Sequence, residues 1–185
     1  MSARISDSLM YAHLWGTPEM RAVFDERARV QGWLDVLVAL ARAQAASGLI
    51  PSESAEAIAR SARVENLDLE RVGALTRETG HSTLGLIREL RTVLPESARD
   101  HVYFRATVQD VTDTWTVLAM RSVGGIVWRD LRAIEDRLLV LSELHRDTLV
   151  SGRTHGQPGA PITFGWKAAS WADEVRRHLD RLREG

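Results

Sequence analysis

The segment Ser151-Gly152-Arg153-Thr154-His155-Gly156-Gln157-Pro158 gathers the side chains best suited to chemistry in this sequence. It offers a hydroxyl, an imidazole and a carboxamide close together, among glycines that let the backbone approach a ligand closely. A helix expected to begin near Pro161 would place its N-terminal N–H groups after this loop, an arrangement that favours a bound anion. Residue types and spacing leave two readings open: His155 takes part in catalysis, or it is a histidine on a surface loop. The histidines are otherwise scattered, and no His-x-x-x-His pair or carboxylate–histidine set appears. No metal site and no cofactor are therefore expected.

The elements that would carry this loop are helices. Thr17-Pro18-Glu19 reads as an N-cap, a proline at the first helical position and an acid in the first turn. Val30, Trp33, Leu34, Leu37, Val38, Ala41 and Ala45 then recur at helical spacing, with a break near Asp25. Gly48 is placed to end that helix in the left-handed conformation, and Pro51 blocks its continuation. Short helices are expected from a Ser52 cap to about Arg63, over Leu69 to Thr79 between Asp68 and Gly80, and from about Ser82 to Leu94.

After Arg105 the pattern lengthens. Thr107-Val108-Gln109-Asp110 has the form of a capping box with Asp in place of Glu. From there to Thr148 no proline occurs, and apolar residues continue at helical spacing from Val108 through Val111, Trp115 and Leu118 to Leu141 and Leu144. One helix over this stretch would be roughly 60 Å long. Gly124-Gly125 inside it predicts a bend or a close helix contact. The stretch from Val150 to Pro161 reads as a loop, and a second long helix follows with Trp171, Val175, His178 and Leu182 on one face. No period-2 strand is expected anywhere. Two long helices leave apolar faces open, so the sequence predicts partner helices and an incomplete polypeptide.

Composition narrows the partners. An apolar fraction of 44% over 185 residues supports one or two domains with a core. A net charge of −1 supplies no field to recruit nucleic acid or an anionic membrane, so neither is expected as a partner. No apolar run approaches the roughly 18 residues of a membrane helix, and the first residues lack the apolar core of a signal peptide. There is no cysteine, which removes disulfide and thiolate chemistry and fits the cytoplasm.

Four segments together carry a resemblance. Gly152-Arg153-Thr154-His155-Gly156-Gln157-Pro158 with Pro161-Ile162-Thr163-Phe164-Gly165 is similar to a shared region of the fumarase/aspartase superfamily. Thr107-Val108-Gln109-Asp110-Val111-Thr112-Asp113-Thr114 resembles its Thr-Ser-x-Asp-x-x-(Asp/Asn)-Thr segment. Thr79-Gly80-His81-Ser82 resembles the segment where adenylosuccinate lyases carry a histidine followed by aspartate. The opening from Gly16 through Trp33-Leu34-Asp35 to Ala43-Gln44 looks like the branch that holds adenylosuccinate lyase and 3-carboxy-cis,cis-muconate cycloisomerase. The segments follow the superfamily's order and cover almost the whole chain.

The resemblance implies an all-α fold: a small N-terminal helical domain over 1–105, then over 106–185 the start of the superfamily's central long-helix bundle, truncated. It implies reversible elimination next to a carboxylate, usually releasing fumarate, or lactone formation by the same proton chemistry, on a succinyl or polycarboxylate substrate. In that chemistry a base removes a proton, donors hold the resulting aci-carboxylate, and an acid protonates the leaving atom. Carried over residue by residue, His155 is the acid or the partner that orients it. Thr154, Thr107 and Gln157 donate to substrate oxygens, and His81, with Ser82 beside it, faces substrate or assists proton transfer. His81 also reads simply as a neutral, partly buried histidine at a helix N-terminus. The superfamily's serine base lies on a later loop that this sequence does not contain, so the chain by itself is expected to be inactive. A homotetramer with sites shared between chains is implied for the parent enzyme.

Several positions depart from the pattern. Val108 stands where a serine is common, and Arg105 where glycine is usual; Arg105 could bind a substrate carboxylate, block the pocket, or be a solvated arginine at a helix start. Tyr103 stands for a histidine and Leu37 for a glutamate. Arg4 is followed by Ile5 rather than by the tyrosine of a nucleotide-phosphate pair, which favours a smaller polycarboxylate over a purine substrate. These departures keep open a second class of function, a non-catalytic helical oligomerisation module derived from the superfamily.

Overall fold

The computed structural model describes Ile5 and residues 8–185, so Arg4 lies outside the described residues. The first helices begin where the sequence places their caps. Thr17 Oγ1 accepts from the Met20 backbone at the start of α1 (Pro18–Val23). Asp25 accepts from Arg27 and Ala28 and opens α2 (Glu26–Ala46), which accounts for the expected break. Gly48 has φ +70° and ends α2. α3 (Ser52–Ser61) departs from expectation: Pro51 occupies the cap position, Ser52 is the first helical residue, and no side chain caps it. A short 3-10 turn (Val64–Asn66) leads to α4 (Leu69–Thr79), capped by Asp68 and closed by Gly80 in the left-handed region. α5 (Leu84–Val93) begins two residues later than Ser82, and a four-residue α6 (Glu96–Arg99) follows Pro95.

The core of this part comes from the apolar stripes of these helices. Leu34 and Leu37 of α2 meet Ile58 of α3 and Leu86, Ile87 and Leu90 of α5, all at most 2% exposed. Each such side chain contributes roughly 1.5–3 kcal/mol relative to exposure. Gly85 lets α5 approach α4 closely, since a Cβ there would lie 2.5 Å from Thr76 Oγ1 and 2.8 Å from the Val72 carbonyl oxygen. The first turns of the next helix join the same core through Val111, 1% exposed, and through Trp115, whose ring stands edge-on to Trp33 at 6.2 Å.

That helix, α7 (Val108–Leu144), is a single run of 37 residues, roughly 55 Å long, as the unbroken apolar pattern predicts. Gly124 and Gly125 do not interrupt it, and a Cβ at either would find no heavy atom within 4 Å beyond the adjacent backbone of α7 among the described residues. By its contacts the chain groups into two units, Met1–Met120 and Arg121–Gly185.

The second unit corrects two expectations. The stretch read as a loop is an antiparallel hairpin of β1 (Leu149–Thr154) and β2 (Gln157–Thr163). Consequently α8 starts at Phe164 rather than near Pro161 and runs to Glu184. The reason is local: the two-residue turn lets the flanking residues pair at once, from Thr154 with Gln157 to Leu149 with Thr163, and this needs no alternating apolar face. α8 buries Gly165, Ala168, Ala172 and Leu179, while Trp171, His178 and Leu182 lie exposed. Small residues at this spacing allow close helix approach. Glu135 of α7, 3% exposed, pairs with Arg132 of its own helix and with Arg176 of α8 at 2.6 Å, tying the two helices together.

Candidate active site

His155 sits at the tip of the hairpin. Its φ is +48° and that of Gly156 is +72°, so both central residues of the two-residue turn have positive φ, as a type I′ turn requires. Glycine adopts this backbone freely, whereas a histidine there is strained by roughly 1–2 kcal/mol. The turn exposes the imidazole, and the paired residues Thr154 and Gln157 on either side of it are exposed as well. The strand β2 separates this tip from the N-terminus of α8 by seven residues, roughly 20 Å of extended chain. The sequence expectation that this helix start would serve an anion beside His155 is therefore corrected. A surface depression of about 290 Å³ along the hairpin is lined by Leu149, Val150, Ser151, Gly159 and Pro161, and none of the predicted site residues touches it.

The base of the hairpin is held rigidly. The Phe164 N–H donates to the Thr148 carbonyl and the Gly165 N–H to that of His145, both at 2.9 Å. The Phe164 ring stands edge-on to His145 with centroids 5.2 Å apart. Gly165 lies directly against the end of α7, where a Cβ would meet the Ser142 carbonyl oxygen at 2.5 Å. Within the strands, Gly152 faces the Ala160 carbonyl so closely that a Cβ would come within 2.6 Å, and the register shifts between Ser151 and Arg153.

The remaining predicted residues lie in the first unit. His81 follows the left-handed Gly80 in the short link between α4 and α5 and is half-buried; Ser82 beside it is exposed. The His81 Nδ1 accepts from the backbone N–H groups of Thr83 at 3.3 Å and Leu84 at 3.2 Å. The imidazole thereby caps α5, which has no cap from Thr83. Sequence pattern placed a histidine at this helix start without revealing that it is the cap.

Arg105 and Thr107 precede α7, and both are exposed. Tyr103 has φ +62° and Arg105 φ +54°, so two left-handed non-glycine residues flank Phe104. Buried Gln44 pins it by donating from Nε2 to the Phe104 carbonyl at 2.7 Å. The Arg105 guanidinium lies over the Phe104 ring at 5.2 Å. Asp110 reaches back to accept from the Thr107 N–H at 2.8 Å, the half of the capping box contributed by the acid. Gln44 was not foreseen as a positioning residue; its only sequence signal is a polar residue in line with the buried stripe of α2.

The structure thus brings Thr154, His155 and Gln157 together on one hairpin, places Arg105 with Thr107, and sets His81 with Ser82 at a separate helix start. Among the described residues no group of three or more His, Cys, Asp or Glu could hold a metal ion. No helix among them is long and apolar enough to cross a membrane.

A mostly helical chain with these segments belongs to a known class of enzymes. The model of the family described as Lyase matches residues 15–185, and the chain is a member of that family, the N-terminal portion of a fumarase/aspartase-superfamily protein. It is 41% identical over 170 residues, 92% of its length, to adenylosuccinate lyase of Methanocaldococcus jannaschii, of which it covers 37%. It is 40% identical over its whole length to N-acetyl-S-(2-succino)cysteine lyase of Dickeya dadantii, of which it covers 40%. The crystal structure of 3-carboxy-cis,cis-muconate lactonizing enzyme from Pseudomonas putida superposes with a TM-score of 0.91 at 33% identity, over 96% of this chain and 41% of that one. The chain therefore spans about two-fifths of the length of these relatives.

Proposed function

We propose that the protein carrying this chain is a lyase or cycloisomerase acting on a succinyl or polycarboxylate substrate, by elimination that releases fumarate or by lactone formation. The observation that carries the reading is the strained, exposed His155 at the turn between Thr154 and Gln157. A bulky residue kept at positive φ costs stability, and such strain gathers at functional sites. His155 would give the proton to the leaving nitrogen or oxygen, or orient the group that does. The same proton chemistry would serve a sulfur leaving atom of the kind named in the Dickeya relative. Thr154, Gln157 and Thr107 would donate to carboxylate oxygens, with His81 and Ser82 facing the substrate. Val108 provides no hydroxyl, so Thr107 would serve there alone, while the exposed Arg105 would meet a carboxylate remote from the reacting carbon.

An exposed hairpin tip cannot exclude water, so the working site needs cover from other segments. Val117, Leu118 and Met120 are 48–66% exposed on α7, and Ile134, Leu139, Val140 and Leu144 are 48–72% exposed further along it. We infer that helices of further copies cover this helix, in a homotetramer, and that residues 106–185 form the start of a shared bundle beside the small domain of 1–105. The absence of cysteine fits a cytoplasmic enzyme.

The test uses enzyme expressed from the complete reading frame, with fumarate or muconate absorbance as the readout. Asparagine tolerates positive φ better than histidine, so His155→Asn should keep the turn and the helix content by circular dichroism. It carries no proton to give, and the rate should fall by about 10²- to 10⁴-fold. Full turnover by the variant would show that the loop only supports the site. The chain of residues 1–185 alone is expected to show no lyase activity.

A further inference from the structure

The backbone turns at Tyr103–Ala106 just before α7, and the Ala106 N–H closes that turn on the Tyr103 carbonyl at 3.3 Å. Phe104 and Arg105 are its central residues. Arg105, the second of them, has φ +54°, a conformation that such a turn ordinarily gives to glycine. The peptide unit between the two has an alternative. Rotating it by about 180°, with ψ of Phe104 and φ of Arg105 changing in opposite senses, leaves the ends of the turn in place and brings Arg105 to an ordinary negative φ. The Phe104 carbonyl would then point to the opposite side of the turn. In the structure that carbonyl is held: Gln44 Nε2 donates to it at 2.7 Å. Gln44 lies on α2, is 8% exposed, and keeps its own Oε1 buried without a partner. The grip has no slack, because α2 meets the start of α7 at a second point. The Trp115 indole sits over Gly32, where a Cβ would come within 2.3 Å of Cδ1, and stands edge-on to Trp33. Gly32 and Gln44 thus meet Trp115 and Phe104 in reverse chain order, and α2 splints the segment between, which carries Arg105 and Thr107.

We propose that Gln44 is a positioning residue that locks the Phe104–Arg105 peptide against this flip and so sets the direction in which Arg105 leaves the backbone. The lock is argued from the hydrogen bonds of the turn. Its consequence for substrate rests on the functional reading above, in which Arg105 meets a carboxylate remote from the reacting carbon. A device for stability would be built differently. This carboxamide makes one bond and leaves a buried acceptor empty, and an unpaired buried polar atom is costly. An apolar residue in its place removes the empty acceptor. The Phe104 carbonyl, once released, reaches water by flipping beside the exposed Arg105, and the left-handed strain at Arg105 is relieved in the same movement. Loss of the lock therefore costs little stability but changes where the guanidinium stands, which in the locked turn is over the Phe104 ring at 5.2 Å. Thr107 is fixed separately, by the bond from its N–H to Asp110, and stays in place. A remote carboxylate is bound alike before and during reaction, so the effect falls on KM rather than on kcat.

The test uses enzyme from the complete reading frame. Methionine matches glutamine in length, is likewise unbranched, and has no donor. The wild-type crystal structure should show Gln44 Nε2 on the Phe104 carbonyl with Arg105 at positive φ. That of Gln44→Met should show the peptide reversed and Arg105 at negative φ. A wild-type structure without this bond, or a variant with Arg105 still at positive φ, overturns the lock. Gln44→Leu also lacks a donor; it should give the same reversal, and it serves if Gln44→Met folds poorly. Gln44→Met should unfold within about 4 °C of wild type, and a larger fall would make Gln44 a stabilising residue instead. Its KM should rise roughly 10-fold, with kcat changed less than about twofold. In an Arg105→Ala background the same change should leave KM where Arg105→Ala alone puts it, since two residues acting through one contact are not additive. A further rise in that background, or an unchanged KM with the peptide reversed, overturns the positioning role and leaves the lock standing. A wild-type enzyme with no lyase or lactonizing activity overturns the functional reading, while the crystal structures still decide the lock.

Discussion

Replacing Gly165 by alanine should loosen the hairpin that carries His155. A Cβ at this position would lie 2.5 Å from the Ser142 carbonyl oxygen, 2.7 Å from Arg146 Cα and 2.8 Å from Arg146 N. Carbon contacts are comfortable near 3.5–4.0 Å, so the overlap approaches an ångström. All three neighbours are backbone, and no side chain can rotate away; α8 must move off the end of α7. Overpacking of this kind costs about 1–3 kcal/mol. The movement also threatens the bonds from Gly165 to His145 and from Phe164 to Thr148, each worth about 1 kcal/mol net. Against this stands a gain of at most about 1 kcal/mol from alanine in a helix. The expected loss is about 2–4 kcal/mol in urea unfolding of the chain, followed by circular dichroism. Gly124→Ala is the control, since beyond the adjacent backbone of its own helix no described heavy atom would lie within 4 Å of its Cβ. It should stabilise the chain by up to about 1 kcal/mol. A Gly165→Ala chain within about 0.5 kcal/mol of wild type, the ordinary range of surface substitutions, would refute the close-packing argument. Because a misplacement of about 1 Å can cost roughly 100-fold in rate, the same variant in the complete enzyme should lose activity without touching the reacting groups.

Glu135→Gln should destabilise the chain by about 1–3 kcal/mol, read in the same unfolding assay, since it removes a buried charge that serves both Arg132 and Arg176. The loss stays below that of a fully buried pair because those arginine side chains are 40% and 47% exposed and return to water; a neutral result would mean that α8 is held by its small residues alone. Arg105→Gly should leave stability unchanged or raise it by up to about 1 kcal/mol, because relief at φ +54° is offset by the greater freedom of glycine when unfolded. In the complete enzyme it should raise KM more than it lowers kcat, and an unchanged KM would remove Arg105 from the substrate.

Helix caps were the most legible part of the sequence, because each is a local event. Thr17, Gly48, Asp68 and Gly80 act within a few residues of themselves and the structure uses each of them; Asp25, read only as a break, caps α2, whereas Ser52, read as a cap, is the first residue of α3. The length of α7 was equally plain, since 37 residues of helical spacing without proline admit no other element. The hairpin escaped because its strands bury neither face: β1 and β2 are exposed along most of their length, and without a buried face there is no alternation to read. The signal that was there is the His155-Gly156 pair, whose glycine suits a two-residue turn although its histidine does not. The stripe of Gly165, Ala168 and Ala172 was overshadowed by Trp171 and Leu182, because size in sequence suggests burial while close helix packing selects small residues. The capping role of His81 could not be read from sequence, since an imidazole cap depends on ring orientation rather than on spacing.

The positive-φ residues show how the chain divides its strain. Gly48, Gly80 and Gly156 take left-handed backbone at no steric cost, and the first two simply end helices. Among the described residues, the non-glycine positions in that region are Tyr103, Arg105 and His155. His155 falls in a segment that resembles the superfamily, Tyr103 and Arg105 stand just before another, and each carries a side chain that glycine would lack. At roughly 1–2 kcal/mol apiece they would be a sizeable drain on a marginally stable fold. Such strain persists only where neighbouring structure over-determines it. Here that restraint is visible: Gln44 holds the carbonyl between Tyr103 and Arg105, and the hairpin under His155 is fixed by Gly165 and the His145–Phe164 contact. A buried glutamine and a glycine against a helix end are therefore the residues that keep Tyr103, Arg105 and His155 in conformations they would not choose.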